Sequence, residues 1–153
     1  MASEQILLTS TEMYQNSDFI DSIDGPWTPP MRIIEIPIPT QGPLQTILYK
    51  DSLKHVETDT ELLIADCDAL IHPDEIGWCL AAFRHAGATG GVPLARSDDP
   101  NVSYASFFPR DATPCWQIAS TAERQRLSEW STTGPYWWQR GRLFLQYAEA
   151  ASR

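Results

Sequence analysis

Apolar residues recur along the chain with two spacings, one typical of strands and one typical of helices, and together they predict strands separated by helices. Short apolar runs rich in β-branched residues are typical of strands, and three of them stand at QILLTS (5–10), MRIIEIPIP (31–39) and ELLIADCDALI (61–71). Pro37 and Pro39 interrupt the second run. Because proline has no backbone N–H to donate, that run is expected to be an edge strand or to end there.

The clearest helix is predicted over HPDEIGWCLAAFRHAG (72–87). Pro73 fits the first turn, and the carboxylates of Asp74 and Glu75 suit the positive N-terminal end of a helix. Gly87 suits the position just after the last turn, where glycine commonly stops a helix. The apolar face of this helix comprises Ile76, Cys79, Leu80 and Phe83.

The rest of the pattern continues the alternation of strands and helices. Helices are predicted at 12–24, 44–54 and 141–153, strands at 88–97 and 135–139, and a short helix or a loop at 121–130. Helices of moderate length between strands favour an α/β fold with a mostly parallel sheet. With 153 residues, the chain is expected to form a single domain over 1–153.

Composition and charge narrow the classes of function. Hydrophobic residues make up 42% of the chain and charged residues 20%, which is typical of a globular protein. No apolar run is long enough to cross a bilayer, and MASEQILLTS (1–10) lacks the basic start and long apolar stretch of a secretory signal. We therefore expect a cytoplasmic protein that has no membrane partner.

The net charge is -9, from 11 basic and 20 acidic side chains. Nucleic acid is disfavoured as a partner, because a phosphate backbone needs a basic face. A small phosphorylated ligand stays open, since a few local cations, backbone N–H groups or a bound metal suffice for it. The three cysteines, Cys67, Cys79 and Cys115, are an odd number without CxxC spacing. Small buried side chains in a reducing compartment are expected rather than zinc ligands or disulfides.

Two carboxylates, Asp66 and Asp68, stand where the strand within 61–71 should end. In parallel α/β folds, ligands bind beyond the carboxyl ends of strands. Residues two apart share one side of an extended chain, and Mg²⁺ prefers carboxylate oxygens and often bridges to phosphates. A metal and phosphate site is one interpretation of the pair. The other is that Asp68 caps the next turn while Asp66 is solvated.

Four blocks resemble, in the right order, the nucleotide-sugar pyrophosphorylases, which are the nucleoside-triphosphate:sugar-1-phosphate nucleotidyltransferases. The blocks are IPIPTQGPLQTIL (36–48), LLIADCDALI (62–71), HAGATGGVPLARSDDPNVSYASF (85–107) and AERQRLSEWSTTGPYWWQRGRLFLQYAEA (122–150). They are similar to the family's base-binding segment, its metal-binding strand end, its central strand with the following xxDPxxYG stretch, and its EKP…S…A.TGIYFF segment along the sugar pocket. The resemblance implies a three-layer Rossmann-like (GT-A-like) fold with a mostly parallel sheet.

The resemblance also implies roles for individual residues. Gly42 and Gln45 would lie near the nucleobase. Asp68 would bind Mg²⁺ and take part in catalysis, and Asp66 would be a second metal ligand. The sugar-phosphate side would comprise Tyr104, Gly134 and the second catalytic candidate, Glu123. Simpler roles stay open for three of these residues, because Gly42 could start a helix, Tyr104 could pack in the core, and Gly134 could make a turn.

The chain departs from the family pattern at both ends. The family begins with a strand and a Gly-rich loop with a basic residue, whereas the one Gly cluster here, ATGG (88–91), lies elsewhere. The family's second acidic metal ligand would come after the last residue. Arg124 stands in place of the usual Lys, and Ala105 in place of a frequent Gly. The resemblance therefore implies a truncated, incomplete domain that is a poor catalyst alone, since phosphoryl chemistry depends on positioning and charge stabilisation.

Three functions compete at this point. The first is a nucleotidyltransferase-like domain that binds a nucleotide or nucleotide sugar with Mg²⁺, with or without a complementing chain. The second is a GT-A type glycosyltransferase that uses Asp66-Cys67-Asp68 to hold the donor diphosphate. The third is a non-catalytic module that forms a homo-oligomer through an exposed sheet edge or apolar face.

Overall fold

The structure is a computed structural model of the chain. It describes residues 5–16, 18, 21, 31–40, 42–66, 72–108 and 115–151. The chain divides into two compact units, Met1–Val56 and Glu57–Ala151. Each is described by itself, and one nucleotidyltransferase-like domain over 1–153 stays a prediction.

The first unit is built on a parallel pair of strands. The pair consists of β1 (Gln5–Ser10) and β2 (Met31–Ile36), which lie side by side along their full length. Both predicted strands are thereby confirmed. β2 ends directly before Pro37, as expected for a residue that cannot donate to a ladder.

Short helices follow the strands of this unit. α1 (Thr11–Tyr14) begins where Ser10 Oγ accepts a hydrogen bond from a backbone N–H of the first turn, at 3.4 Å. α2 (Pro43–Ile47) and α3 (Lys50–Leu53) occupy the stretch that was expected to form one longer helix. The predicted helix over 12–24 lies partly outside the described residues.

The second unit holds seven strands in the part that the structure describes. They are β3 (Leu62–Ile64), β4 (Gly90–Gly91), β5 (Leu94–Arg96), β6 (Ser103–Phe107), β7 (Ile118–Glu123), β8 (Trp130–Thr132) and β9 (Tyr136–Trp138). One sheet has the order β3-β9-β4 and the other β5-β8-β6-β7. Every pairing in these two sheets is antiparallel.

A break in register separates the two sheets. Leu94 lies beside Thr132, whereas Gly91 lies beside Trp137, so the partner strand gains two residues between these pairs. The two extra residues lie between Thr132 and Trp137. This stretch includes Gly134, whose φ of 97° is a conformation that glycine adopts without steric cost. An inserted stretch of this kind bends a strand and re-aims its side chains.

Two helices complete the second unit as described. α4 (Pro73–His85) confirms the clearest predicted helix, and the N–H groups of Gly87 and Ala88 donate to carbonyls of its last turn at 3.1 and 3.0 Å. Gly87 has a φ of 63°, so it is the predicted glycine stop. α5 (Gly141–Ala151) confirms the predicted final helix.

An ion pair ties α4 to the residue that precedes β3. Arg84 Nε and Nη2 donate to Glu61 Oε1 and Oε2 at 2.7 and 2.5 Å. These hydrogen bonds, together with the positive charge of Arg84, hold the pKa of Glu61 below its ordinary value. Both side chains are about half exposed, so the pair lies at the surface.

The core of the second unit lies on its strands and on α5. Its buried apolar residues are Tyr104, Ala105, Trp137, Phe144 and Ala148. Trp137, at the centre of β9, stacks on Phe83 of α4 with ring centroids 5.7 Å apart. The strands therefore enclose the largest side chains, and α4 covers them from one side.

The predicted fold class is wrong for this structure. A three-layer Rossmann-like sheet with mostly parallel strands was expected, but β1 and β2 form the one parallel pair among the described residues. Five strands follow one another between Leu94 and Trp138, the described residues among them form no helix, and the strands pair in antiparallel fashion. The strand β7, in the stretch IASTAE, is rich in small polar residues and lies partly in a stretch expected to be helix or loop.

None of the helices in the described part of the chain is both long enough and apolar enough to span a bilayer.

Candidate functional site

The predicted metal-binding strand and the predicted sugar segment meet in one ladder. β3 pairs with β9, and Ile64 lies beside Tyr136 at its end. If this antiparallel register is continued by two residues, Asp66 stands opposite Gly134. Asp66 and Gly134 thus each stand two positions beyond the last pair of this ladder, at the same end of it.

Asp66 supplies a carboxylate near this end of the ladder. It lies two residues after the end of β3 and is half-buried. Cys67 and Asp68 lie outside the described residues, so the principal metal candidate stays a prediction. No group of three or more His, Cys, Asp or Glu side chains in the described ranges could hold a metal ion. The described residues thus supply one carboxylate toward a metal site, and a complete ligand set is not among them.

Gly134 occupies a turn that the surrounding backbone fixes. Its neighbour Thr133 donates both its N–H and its Oγ1 to the carbonyl oxygen of Pro93, at 3.2 and 3.1 Å. Pro135 is buried on the other side of the glycine. The simpler role that the sequence offered, a turn before proline, is what the backbone shows. The sequence analysis did not identify Thr133. Its position next to Gly134 was the one feature of the sequence that could have indicated its role in the turn.

Tyr104 is fully buried on β6, with an exposed fraction of 0%. Its hydroxyl donates to the carbonyl oxygens of Asp99 and Ser97, at 2.9 and 3.3 Å. The phenol therefore closes the loop between β5 and β6 from inside. Packing accounts for its position, and a ligand contact by Tyr104 stays a prediction.

Glu123 ends β7 and is largely exposed. Its Oε1 lies 3.7 Å from Nε of Arg124, the residue at the family's lysine position. Arg124 has a φ of 54°, an uncommon conformation for a residue other than glycine. Its N–H donates to the carbonyl of Val102 at 3.1 Å, which holds the turn. Such backbone conformations persist where the surrounding structure enforces them, and they concentrate at functional sites.

The two candidates for nucleobase contact lie in the first unit. Gly42 precedes α2, and its carbonyl oxygen accepts from the N–H and the Oγ1 of Thr46 at 3.1 and 3.2 Å. The simpler role of a helix start is therefore present. Gln45 lies on α2 itself and is exposed. Contact of either residue with a base stays a prediction.

Comparisons with known proteins bear on the fold. The chain matches no family model, and no curated protein matches it. Among solved structures, it is similar to the nucleoside-diphosphate-sugar pyrophosphorylase from Vibrio cholerae RC9, with a TM-score of 0.65 and 19% sequence identity. The match covers 99% of this chain and 61% of that chain, so this chain spans less than two thirds of its neighbour. The likeness shows a shared fold.

Proposed function

We propose that the chain binds a nucleotide or a nucleotide sugar, and that it does so where Asp66 and Gly134 stand at one end of the β3–β9 ladder. That shared ladder end supports the site best, because it joins the segment assigned to the metal with the segment assigned to the sugar. The fold agrees, since the structurally similar enzyme is a nucleoside-diphosphate-sugar pyrophosphorylase by name. Gly42, Gln45 and Glu123 keep the roles that the resemblance implies, whereas Tyr104, which is fully enclosed, is assigned a packing role.

A divalent cation, Mg²⁺, is part of this proposal. Both the chain, with a net charge of -9, and a diphosphate are anionic, so a cation between them lowers their repulsion. Asp68 would be the first carboxylate ligand and Asp66 the second, and Mg²⁺ bound by one or two carboxylates commonly completes its shell with water and phosphate. Support for the metal comes from the sequence pair rather than from a ligand set in the described residues.

A thermal-shift panel tests the site. Nucleoside triphosphates, nucleotide sugars and sugar phosphates are each added with and without Mg²⁺, because a ligand that binds the native state alone raises its melting temperature. We expect one nucleotide class to raise the melting temperature when Mg²⁺ is present. The variants Asp66→Asn and Asp68→Asn should reduce that shift. Asp98→Asn is the matched control, because Asp98 is an exposed carboxylate of the same unit outside the proposed site.

Turnover by these 153 residues is expected to be weak. They contain no Gly-rich loop with a basic residue ahead of β3, the element that would hold a triphosphate. Phosphoryl and nucleotidyl transfer depend on positioning and on stabilisation of developing charge. An assay with nucleoside triphosphate and sugar 1-phosphate should therefore give little product, and rapid turnover would contradict this part. Metal-dependent hydrolysis of a donor sugar would instead favour the glycosyltransferase alternative.

A further inference from the structure

We propose a second binding site in the unit Glu57–Ala151, a cavity that takes a neutral, flat aromatic molecule. The cavity has a volume of about 580 Å³ and is partly open to solvent. It lies between α4, the segment 87–94 and the segment 115–118. Small-molecule sites commonly measure about 300–1,000 Å³, so one or two rings would fit.

The chemistry of the lining is uncharged. The described residues around the cavity include no Asp, Glu, Lys, Arg or His, although one fifth of the chain is charged. None of the residues assigned to the nucleotide site is among them. A phosphate would find no counter-charge on these walls, and burying it there would be costly. The ligand class therefore differs from that of the proposed nucleotide site.

Aromatic rings form one wall. Trp116 lines the cavity while half of its surface stays exposed. It meets Trp130 edge to face at 5.1 Å and Phe107 at 5.0 Å between ring centroids, so neighbours hold its orientation. An oriented indole that keeps a free surface can receive another ring by stacking or by edge contact.

Small residues also line the cavity. They include Ala82 on α4, Ala86 directly after it and Gly91 on β4. A Cβ at Gly91 would come within 2.8 Å of the Phe83 ring, so glycine at this position lets the Phe83 ring pack against β4. The polar side-chain groups of the lining are the Thr89 hydroxyl, the Gln117 amide, the thiols of Cys79 and Cys115, and the indole N–H groups of Trp116 and Trp130. Burial raises the pKa of the Cys79 thiol, which therefore stays neutral near pH 7.

Saturation-transfer NMR on the full chain tests this site with three probes. They are indole, its charged analogue indole-3-carboxylate, and the nucleoside uridine. Indole should bind at least tenfold more tightly than indole-3-carboxylate, because the walls offer no counter-charge. Uridine should also bind more weakly than indole, because its polar edge exceeds the few polar groups of the lining.

Two substitutions on neighbouring positions of α4 provide the control. Ala82→Leu fills the cavity and should weaken indole binding at least tenfold, whereas Ala81→Leu, on the exposed side, should leave it within twofold. Melting temperatures verify that both variants fold, and Ala86→Leu serves as a second filling variant. Equal indole binding by filled and control variants would overturn the inference, as would binding of the carboxylate with equal strength. Displacement of indole by nucleotide sugar with Mg²⁺ would also overturn it, by merging the two sites.

Discussion

Two tryptophans show how differently the strands and the helix α4 of the second unit are built. Trp137, at the centre of β9, is 2% exposed, whereas Trp78 on α4 is 74% exposed. The strands enclose Tyr104 and Ala105 completely, but α4 contains no fully buried residue among its 13. The strands therefore bury more of their apolar side chains than α4 does, and substitutions on the strands should cost more stability than substitutions on α4.

The largest expected effect comes from replacing the buried tryptophan with alanine, and the same replacement of the exposed tryptophan is its control. Trp137→Ala removes a buried indole and its stacking on Phe83, and should lower the free energy of unfolding by about 3–5 kcal/mol. Trp78→Ala should change it by less than about 0.5 kcal/mol, because the ring is mostly solvated. Denaturant titration of both variants measures the difference, and equal effects would remove the basis of the comparison.

Two glycines, Gly91 on β4 and Gly77 on α4, should respond in opposite ways to substitution by alanine. Gly91→Ala puts a Cβ against the Phe83 ring and should destabilise the unit by about 1–3 kcal/mol. Gly77→Ala lies in α4 with no atom within 4 Å of the added carbon, so it should stabilise the helix by about 0.5–1 kcal/mol. Opposite signs in chemical denaturation are the expected result. Destabilisation by both would mean that α4 is packed more tightly than described.

Tyr104→Phe separates a packing role from a ligand role on the strand side. The variant loses the hydrogen bonds to the carbonyl oxygens of Asp99 and Ser97, which should cost about 0.5–1.5 kcal/mol of stability. Nucleotide affinity should stay within twofold of wild type, because the phenol is enclosed. Calorimetry and binding titrations on the same samples compare the two. A tenfold loss of affinity would instead place Tyr104 at the ligand.

The smallest effect is expected where α4 is tied to the strands by a surface ion pair. The pKa of Glu61 is lowered by its hydrogen bonds to Arg84, so its contribution is complete above its unfolded pKa of about 4.3 and is lost as pH falls through the lower folded value. Glu61→Gln should therefore cost less than about 1 kcal/mol at pH 7, because both groups are half exposed. The difference from wild type should vanish at acidic pH. Persistence of the full difference at pH 3 would contradict the assignment.

The sequence predicted the helices with clear end signals better than it predicted the pairing of strands. The ends of α4 followed from Pro73 and Gly87, because both residues act through their own backbone. Strand pairing depends on contacts between distant segments. The sequence predicted neither β6 nor β7 as a strand, and their antiparallel pairing differs from the mostly parallel sheet that was expected.

The candidate site was predictable in part. The acidic pair after β3 and the glycine before β9 could be identified by their residue types, but the pairing of β3 with β9, which brings these two segments to one sheet end, could not. The cavity beneath α4 had no comparable signal. Its lining residues are ordinary in type, and the cavity arises only where distant segments of the chain meet.

A calorimetric titration of the full chain in the presence of Mg²⁺ decides whether a nucleotide site lies at the end of the β3–β9 ladder. The titrant is the nucleotide or nucleotide sugar that the thermal-shift panel selects. Wild type and Asp98→Asn should bind with equal affinity, and Asp66→Asn and Asp68→Asn should each bind at least tenfold more weakly. Removal of Mg²⁺ should weaken the wild type and have less effect on the two site variants. Equal affinity in all four proteins, or no binding by the wild type, would contradict a nucleotide site at the end of the β3–β9 ladder.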